Sequence, residues 1–445
     1  MQRIRPVEMA GDMAPTPFAS CVSVDRPWPM TTLAILHDGP TIDAMRPTLV
    51  PHDVDRAVRL PIAMGDRLAT REGRVDLMSL DVVAMEAFVA ELGEKRFRAL
   101  QIYRWLHQRG ARSFDEMTDL KKEFRTRLAH QASIDLPTIE AVQQSSDGTR
   151  KYQLRTSDGH TIEAVYIPRA SGPTRNALCI SSQIGCAMGC TFCATASIKL
   201  VRHLTPGEIA GQYHVVTRDL VENGLGGVAP ANGKPARPIT NIVYMGMGEP
   251  LHNFEGVVRS IRLLTEENGP ELSPRRITVS TSGIVPAIAR LGAETDVHIA
   301  ISLNGTTDDV RTSVMPVNKR WNLDALLDAC RRFPLARRRR ITFEYVMLKG
   351  VTDSDDDARR LVRLLDGLRT KVNLIPFNAH PLSPYARPTA ERVDAFRAIL
   401  ERGDMSVFVR TTRGGDIDAA CGMLGAKKLE EKRRETASAS SQETA

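Results

Sequence analysis

The chain has 445 residues, 42% hydrophobic and 25% charged, with a net charge of +7; this suits a water-soluble globular protein of two or three domains. Seven cysteines, an odd number in so long a chain, argue against a secreted disulfide framework. No run of about twenty apolar residues exists to span a membrane, and no apolar segment precedes Phe18-Ala-Ser-Cys21 to make it a lipoprotein signal, so the expected location is the cytoplasm.

Residues 1–75 are irregular, Pro-rich and without a motif; they read as a poorly ordered extension, with Met78 a plausible alternative start. A small helical, basic N-terminal domain is expected over 76–135. Val82, Met85, Val89 and Leu92 recur at helical spacing, followed by Phe97, Leu100, Ile102, Trp105 and Leu106. Ser113-Phe-Asp-Glu116 is a capping-box pattern, expected to open a helix that buries Met117, Leu120, Phe124 and Leu128. Lys121, Lys122, Arg125 and Arg127 occupy its other face, either as a solvated surface or as contacts to RNA.

A core is expected over 136–425. Lys151–Arg155 and Thr161–Pro168 form a strand-pair lead-in over 150–168, in which Glu163 keeps company with apolar side chains. Strands follow at Leu178–Ser181, Asn241–Met245, Arg276–Ser280, Val297–Ser302, Ile341–Met347, Val372–Pro376 and Met405–Val409. Helical patterns separate them, one opened by Thr205-Pro-Gly-Glu208 and others over 255–267, 323–332, 354–366 and 389–402. This alternation predicts an α/β fold of about six units, a partial (β/α)6 TIM-like barrel whose chemistry gathers at the strand ends. Residues 426–445 bury almost nothing and read as a disordered tail.

The chemistry-bearing stretch is Cys186-Ala-Met-Gly-Cys-Thr-Phe-Cys193, directly after the first barrel strand. Three thiols within eight residues can aim at one point. Four would close a zinc or iron–sulfur site, whereas three leave one position open for a ligand. Zinc sites usually add a second Cys or His pair, and none follows here. Met245-Gly-Met-Gly-Glu-Pro250, Ser280-Thr-Ser-Gly283, Ser302-Leu-Asn304 and Asn378 all fall at strand ends, where glycines admit a ligand to the backbone and polar groups can hold it. Cys179 lies on the strand leading into the thiol loop, and Cys421 follows the last strand. Cys330 falls on an apolar helix register and reads as core.

The run Ser181–Cys193, with Gly246-Met-Gly-Glu-Pro-Leu251, Glu344-Tyr-Val-Met347 and Thr412–Gly422, resembles the RlmN family of radical S-adenosylmethionine adenine-2 methyltransferases acting on 23S ribosomal RNA and transfer RNA. The resemblance runs from about 78 to 425. It implies the barrel of the radical S-adenosylmethionine type and one [4Fe-4S] cluster on Cys186, Cys190 and Cys193. It also implies two S-adenosylmethionine molecules per turnover, and cofactor contacts at Gly248, Glu249, Ser280, Ser302, Leu303, Asn304 and Asn378. In the family's mechanism the cysteine matching Cys421 is first methylated. A 5′-deoxyadenosyl radical then takes a hydrogen from that methyl group, and the resulting carbon radical adds to adenine carbon 2. Cys179 closes a transient disulfide with Cys421 to release the product, and Glu163 matches the proposed general base, its apolar surroundings suiting it to proton transfer.

Carbon 2 of adenine is electron-poor and carries no acidic proton, which gives radical chemistry its reason. The base must be reached outside a stack, so 23S rRNA and tRNA would be met as single-stranded or remodelled RNA. Arg331, Arg332 and Arg337 to Arg340 are candidate phosphate contacts. A reducing donor such as flavodoxin or ferredoxin and a monomeric state are implied as well. Three alternatives stand beside this reading. One is the Cfr-like branch, which methylates carbon 8 of the ribosomal adenine; Pro250 resembles the RlmN pattern instead. Another is a zinc-stabilised RNA-binding protein with no use for Cys421. The third is a radical enzyme acting on a protein or small molecule, which makes no use of the basic N-terminal domain.

Overall fold

The computed structural model describes residues 73–168, 175–225 and 237–425. All lie in the second of the two units into which the chain divides, Gly65–Ala445. The expected N-terminal extension (almost all of it), the C-terminal tail, Cys21 and the centre of the loop after Pro168 fall outside the described residues.

Helices α1 (Val82–Glu91), α2 (Phe97–His107) and α3 (Lys122–Gln131) come first, bracketed by a parallel pair of short strands, β1 (Val75–Asp76) and β2 (Ala132–Ser133). Asp81 starts α1 by accepting the Ala84 amide. Met85, Val89, Ile102 and Leu106 are buried as their spacing predicts, but Phe97 is 51% exposed. The capping box at Ser113 and Glu116 caps a single 3-10 turn, Phe114–Glu116, and α3 starts separately at Lys122. The chain breaks between them because Leu120 N–H turns back to Met117 O and Asp119 accepts the Trp105 indole N–H at 2.7 Å. Met117, Leu120, Phe124 and Leu128 are buried all the same.

A ten-stranded sheet follows. Its first part is an antiparallel run of β3 (Thr138–Gln144), β4 (Arg150–Arg155), β5 (Thr161–Ile167) and β6 (Ala177–Cys179). The expected strand pair is thus three strands wide before it meets the core. From β6 the sheet is parallel through β9 (Asn241–Tyr244), β10 (Ile277–Thr281), β11 (His298–Ser302), β12 (Ile341–Met347), β13 (Thr370–Pro376) and β14 (Val407–Val409). A small antiparallel pair, β7 (Gln183–Ile184) with β8 (Arg202–His203), folds the thiol loop. The crossovers carry α4 (Pro206–Glu222), α5 (Phe254–Thr265), α6 (Val285–Glu294), α8 (Leu323–Arg332), α9 (Asp355–Leu365) and α10 (Ala390–Arg402), and α7 (Asp308–Val314) precedes α8. This is the α/β fold expected from the alternation: six strand–helix units, then a seventh parallel strand. β3 and β14 are the sheet's two edges, so the barrel is partial.

Local chemistry explains the elements that position the site. Thr205 and Glu208 form a complete capping box with Pro206 at the first turn, so α4 begins sharply after β8. Arg202 of β8 locks that start by donating to both Glu208 and Asp158. The core strands turn an apolar face to the covering helices and a mixed face, with Ser280, Ser302 and Glu344, to the barrel interior. Phe343, Tyr345 and Met347 of β12 are fully buried, as are Val372 and Leu374 of β13.

Candidate active site

The thiol loop is built by backbone bonds that leave little slack. Ile180 N–H pairs with Val243 O, and Cys186 N–H donates to Ile198 O. Gly185 has φ +75°, and a side chain there would meet Lys199 O at 2.3 Å, so only glycine permits this return. Thr191 N–H donates to Val314 O, docking the loop on the end of α7. Cys186, Cys190 and Cys193 line one pocket at the C-terminal ends of the parallel strands, and Cys421 lines the same pocket. Burial raises all three loop thiols, Cys186 to about 12, so iron binding at them would release protons.

The opposite wall comes from the strand ends. Gly246 and Gly248 approach the first strand so closely that a side chain would meet Ile180 O at 2.6 Å or Gln183 Cβ at 2.5 Å. Gln183 is buried and accepts the Glu249 amide at 2.7 Å, which holds the glycine turn against β7. The Glu249 carboxylate accepts Leu251 N–H at 3.0 Å and Ser282 N–H at 2.7 Å; burial pushes it above the usual range while these bonds pull it down. Gly248, Glu249, Ser280, Ser302, Asn304 and Asn378 all line the pocket. Leu303 is fully buried behind them and does not. Asn304 sits at φ +52° and accepts Val346 N–H at 2.8 Å.

Cys421 rides on a strap that follows β14. Asn378 Nδ2 donates to Cys421 O at 3.2 Å, and Ala194 N–H, one residue past Cys193, donates to Gly422 O at 2.7 Å. Thr195 Oγ donates to Leu424 O at 2.9 Å, and Gly425 N–H donates to Glu163 Oε2 at 2.9 Å. Glu163 is therefore bonded to the strap's end and does not line the pocket. At its start the strap reaches the turn between β3 and β4: Gly414 N–H donates to Asp147 at 3.0 Å, and Asp416 accepts Ser146 N–H at 3.1 Å. Cys179 is buried on β6 outside the pocket lining. Burial raises its thiol, and Cys421 is close enough to raise it further. The Cys421 side chain is exposed to the pocket yet surrounded by protein. Burial raises it, Arg410 opposes that, and Glu344 adds to it.

Arg410 and Glu344 line the pocket but had no role from sequence. Glu344 is a buried acid in an apolar strand, its Oε1 accepting Asn373 Nδ2 at 2.8 Å, and burial raises it. That mismatch of residue and surroundings was its signal. The arginines 331, 332 and 337–340 lie elsewhere. They precede β12, at the strand ends opposite the pocket, where Arg332 bonds Asp328 and Arg340 bonds Ser406. A larger cavity of about 650 Å³ lies between α2, α4 and the 266–271 turn. It holds no thiol and mixes arginines with carboxylates, so the chemistry is not there.

The donor set fits an iron–sulfur cluster. Thiolates are soft ligands suited to zinc or iron–sulfur, and among the described residues no group of three or more His, Cys, Asp or Glu is arranged to hold a single metal ion. Three thiols facing an open pocket with polar strand ends opposite leave room for a cluster with a ligand on it. Also among the described residues, no helix is long and apolar enough to cross a membrane.

Comparison with known proteins agrees with this geometry. Residues 75–134 match the ribosomal RNA large subunit methyltransferase N-terminal domain, and residues 180–362 match the radical SAM superfamily. "Dual-specificity RNA methyltransferase RlmN 2" of Myxococcus xanthus is 52% identical over 352 residues, covering 79% of this chain and 90% of that protein. The RlmN protein of Anaeromyxobacter sp. is 51% identical, covering 80% and 92%. A crystal structure of a radical SAM methyltransferase from Sphaerobacter thermophilus superposes with a TM-score of 0.72 at 43% identity, covering 79% of this chain and 99% of that one. Superfamily membership implies a [4Fe-4S] cluster and S-adenosylmethionine. With both halves of its architecture matched and its thiols gathered at one pocket, the chain belongs to the RlmN family of radical SAM RNA methyltransferases.

Proposed function

We propose that the protein methylates carbon 2 of a specific adenine in 23S rRNA and in tRNA, with Cys421 as the methyl carrier. The observation that carries this is the sharing of one pocket by Cys421 and the three loop thiols, at the end of the strands. On this reading Cys186, Cys190 and Cys193 hold the cluster. Gly248 admits the S-adenosylmethionine backbone, and Glu249, Ser280, Ser302, Asn304 and Asn378 contact its polar groups, Leu303 acting only through its main chain. The cluster and S-adenosylmethionine, when bound, supply the one-electron chemistry that activates the methyl group on Cys421.

The chain's own residues do the rest. The Cys421 thiolate takes a methyl group from the sulfonium of one S-adenosylmethionine, leaving S-adenosylhomocysteine. Arg410, beside the thiol, favours that thiolate. After the methylene carbon has joined adenine, Glu163 accepts the proton from carbon 2, and Cys179, as thiolate, attacks the Cys421 sulfur. The Cys179–Cys421 disulfide forms as the carbon–sulfur bond breaks, the released carbon takes a proton to become the methyl group, and the odd electron of the adduct leaves by the one-electron path that supplied it. A donor such as flavodoxin or ferredoxin would supply the electron for radical formation, and two further electrons with two protons would return the disulfide to thiols. A second S-adenosylmethionine is consumed in each turnover. Residues 76–135 serve as an RNA-binding domain and 136–425 as the catalytic core of a cytoplasmic monomer.

The test is anaerobic loading with iron and sulfide, followed by assay on unmodified ribosomal RNA and tRNA with nucleoside mass spectrometry. Wild type should yield 2-methyladenosine and Cys421→Ala none. Formation of 8-methyladenosine would move the protein to the Cfr-like branch, and an active Cys421→Ala would end the carrier mechanism.

A further inference from the structure

Arg311, in the middle of α7, is fully buried. Among the described residues its guanidinium donates to neutral oxygens only: Leu303 O at 2.9 Å, Asn318 Oδ1 at 2.8 Å, Ser282 O at 2.7 Å and Ser302 O at 3.2 Å. The nearby carboxylate of Asp308 is committed to Asn318 Nδ2 and Leu323 N–H, both at 2.9 Å. A buried cation whose hydrogen bonds go to neutral oxygens, with no carboxylate in direct contact among the described residues and only Asp308 nearby, is an expensive arrangement for stability alone.

Its location supplies the missing anion. Ser282 and Ser302, whose carbonyls it holds, line the pocket, so the charge stands directly behind the pocket wall. Arg311 shares α7 with Val314, whose carbonyl takes the Thr191 amide of the thiol loop. Cys190 packs against the group formed by Val314, Met315 and Val317. Burial depresses Arg311 to about 10, and a thiolate at Cys190 would hold it up, ahead of the Asp308 carboxylate. An oxidised four-iron core on three thiolates carries one net negative charge, and two after it accepts an electron.

We infer that Arg311 is the built-in counter-charge of the iron–sulfur cluster, placed to offset the thiolates' charge and to ease arrival of the electron. This rests on the assignment of the cluster to Cys186, Cys190 and Cys193. It explains why a cation is buried where carbonyls alone receive it: the site is balanced only when loaded. Arg311 touches no reacting atom, so its effect is on the cluster's reduction potential.

Wild type, Arg311→Gln and Arg311→Lys are loaded anaerobically and titrated with electron paramagnetic resonance detection of the reduced cluster. Arg311→Gln should lower the reduced-to-oxidised ratio at fixed potential at least tenfold, about 59 mV for one electron; Arg311→Lys, which keeps the charge, should stay within about threefold at pH 7. An unchanged potential in a fully loaded Arg311→Gln overturns the inference, as does a Lys variant that falls as far as Gln. If Arg311→Gln does not fold without iron, pH decides the matter in Arg311→Lys. A buried ammonium loses its proton far more readily than a guanidinium, so its potential should drop below that of wild type between about pH 7 and 9.5. Parallel curves overturn the inference. A wild-type chain that takes up no cluster overturns the assignment beneath it as well, whereas a loaded wild type with indifferent variants overturns this inference alone.

Discussion

Replacing Asn378 by aspartate separates two duties of one side chain. Its Oδ1 accepts Thr412 Oγ at 2.9 Å and Arg387 Nη1 at 3.2 Å, and a carboxylate would keep both. Its Nδ2 donates to Cys421 O at 3.2 Å, and a carboxylate cannot. That bond is long and half-exposed, so its loss costs about 0.5–1 kcal/mol, a two- to fivefold fall in the fraction of strap correctly seated. Repulsion between the carboxylate and the Cys421 carbonyl adds to this. The bond from Ala194 N–H to Gly422 O is untouched and bounds the damage. The assay is single-turnover transfer of a labelled methyl group from S-adenosylmethionine to the protein, read by intact mass, together with amide exchange over 420–425. Slower labelling by about two- to tenfold with faster exchange is expected. Unchanged labelling and exchange would refute the anchoring role. A loss beyond about a hundredfold without faster exchange would refute it too, because the proposed contact of Asn378 with S-adenosylmethionine, rather than the strap, would then set the rate.

Two other perturbations follow from the same geometry. Gly248→Ala places a methyl group 2.5 Å from Gln183 Cβ at φ +100°; left-handed strain and overpacking together cost about 2–5 kcal/mol, so S-adenosylmethionine binding measured by calorimetry should weaken at least tenfold, and wild-type affinity would contradict the close approach. Burial raises Asp76 to about 7, against the pull of the Ser79 hydroxyl and the Met78 amide. Its folded pKa lies above its unfolded one, so the stability it contributes is full below about pH 4 and is lost as pH rises through 7. The loss approaches about 4 kcal/mol if the whole shift is realised. Denaturant midpoints should decline from pH 5 to 9 in wild type and much less in Asp76→Asn; equal slopes would count against a buried, proton-binding Asp76.

Sequence patterning read the parallel core well because its signals are local. Ile341–Met347 is an apolar and β-branched run interrupted only by Glu344, and β12 has those bounds; Thr205-Pro-Gly-Glu208 opens α4 as its cap demands. The thiol loop and the glycine turn were legible for the same reason. β3 was not, because Thr138–Gln144 alternates exposed and half-buried positions and shows no apolar face. Nor was α6, where Pro286 and Gly292 dilute the helical pattern although Ile288 and Leu291 are buried. The box at Ser113 was real chemistry attached to a shorter element, since no propensity rule reports the tertiary pull of Trp105 on Asp119. Glu163 meeting Gly425 across 262 positions lies beyond any local pattern. Arg311 is equally hidden: nothing in Thr307-Asp-Asp-Val-Arg311 sets this completely buried arginine apart from the other arginines among the described residues, which stay partly or fully wet.

The two edges of the ten-stranded sheet are joined by the strap, through Asp147, Asp416 and a few backbone groups. The strap also buries Ala419, Ala420, Met423 and Leu424 and ties Gly425 to the buried Glu163, so its end is part of the core and only its start, at Asp147 and Asp416, rests on isolated polar contacts near solvent. Opening at that start therefore costs a small part of the free energy of unfolding, whereas lifting the Cys421 end exposes core. On the proposed function, a nucleotide drawn out of folded RNA would enter at the loosely held start of the strap, while Cys421 and the carbon it carries would keep their place at the firmly held end.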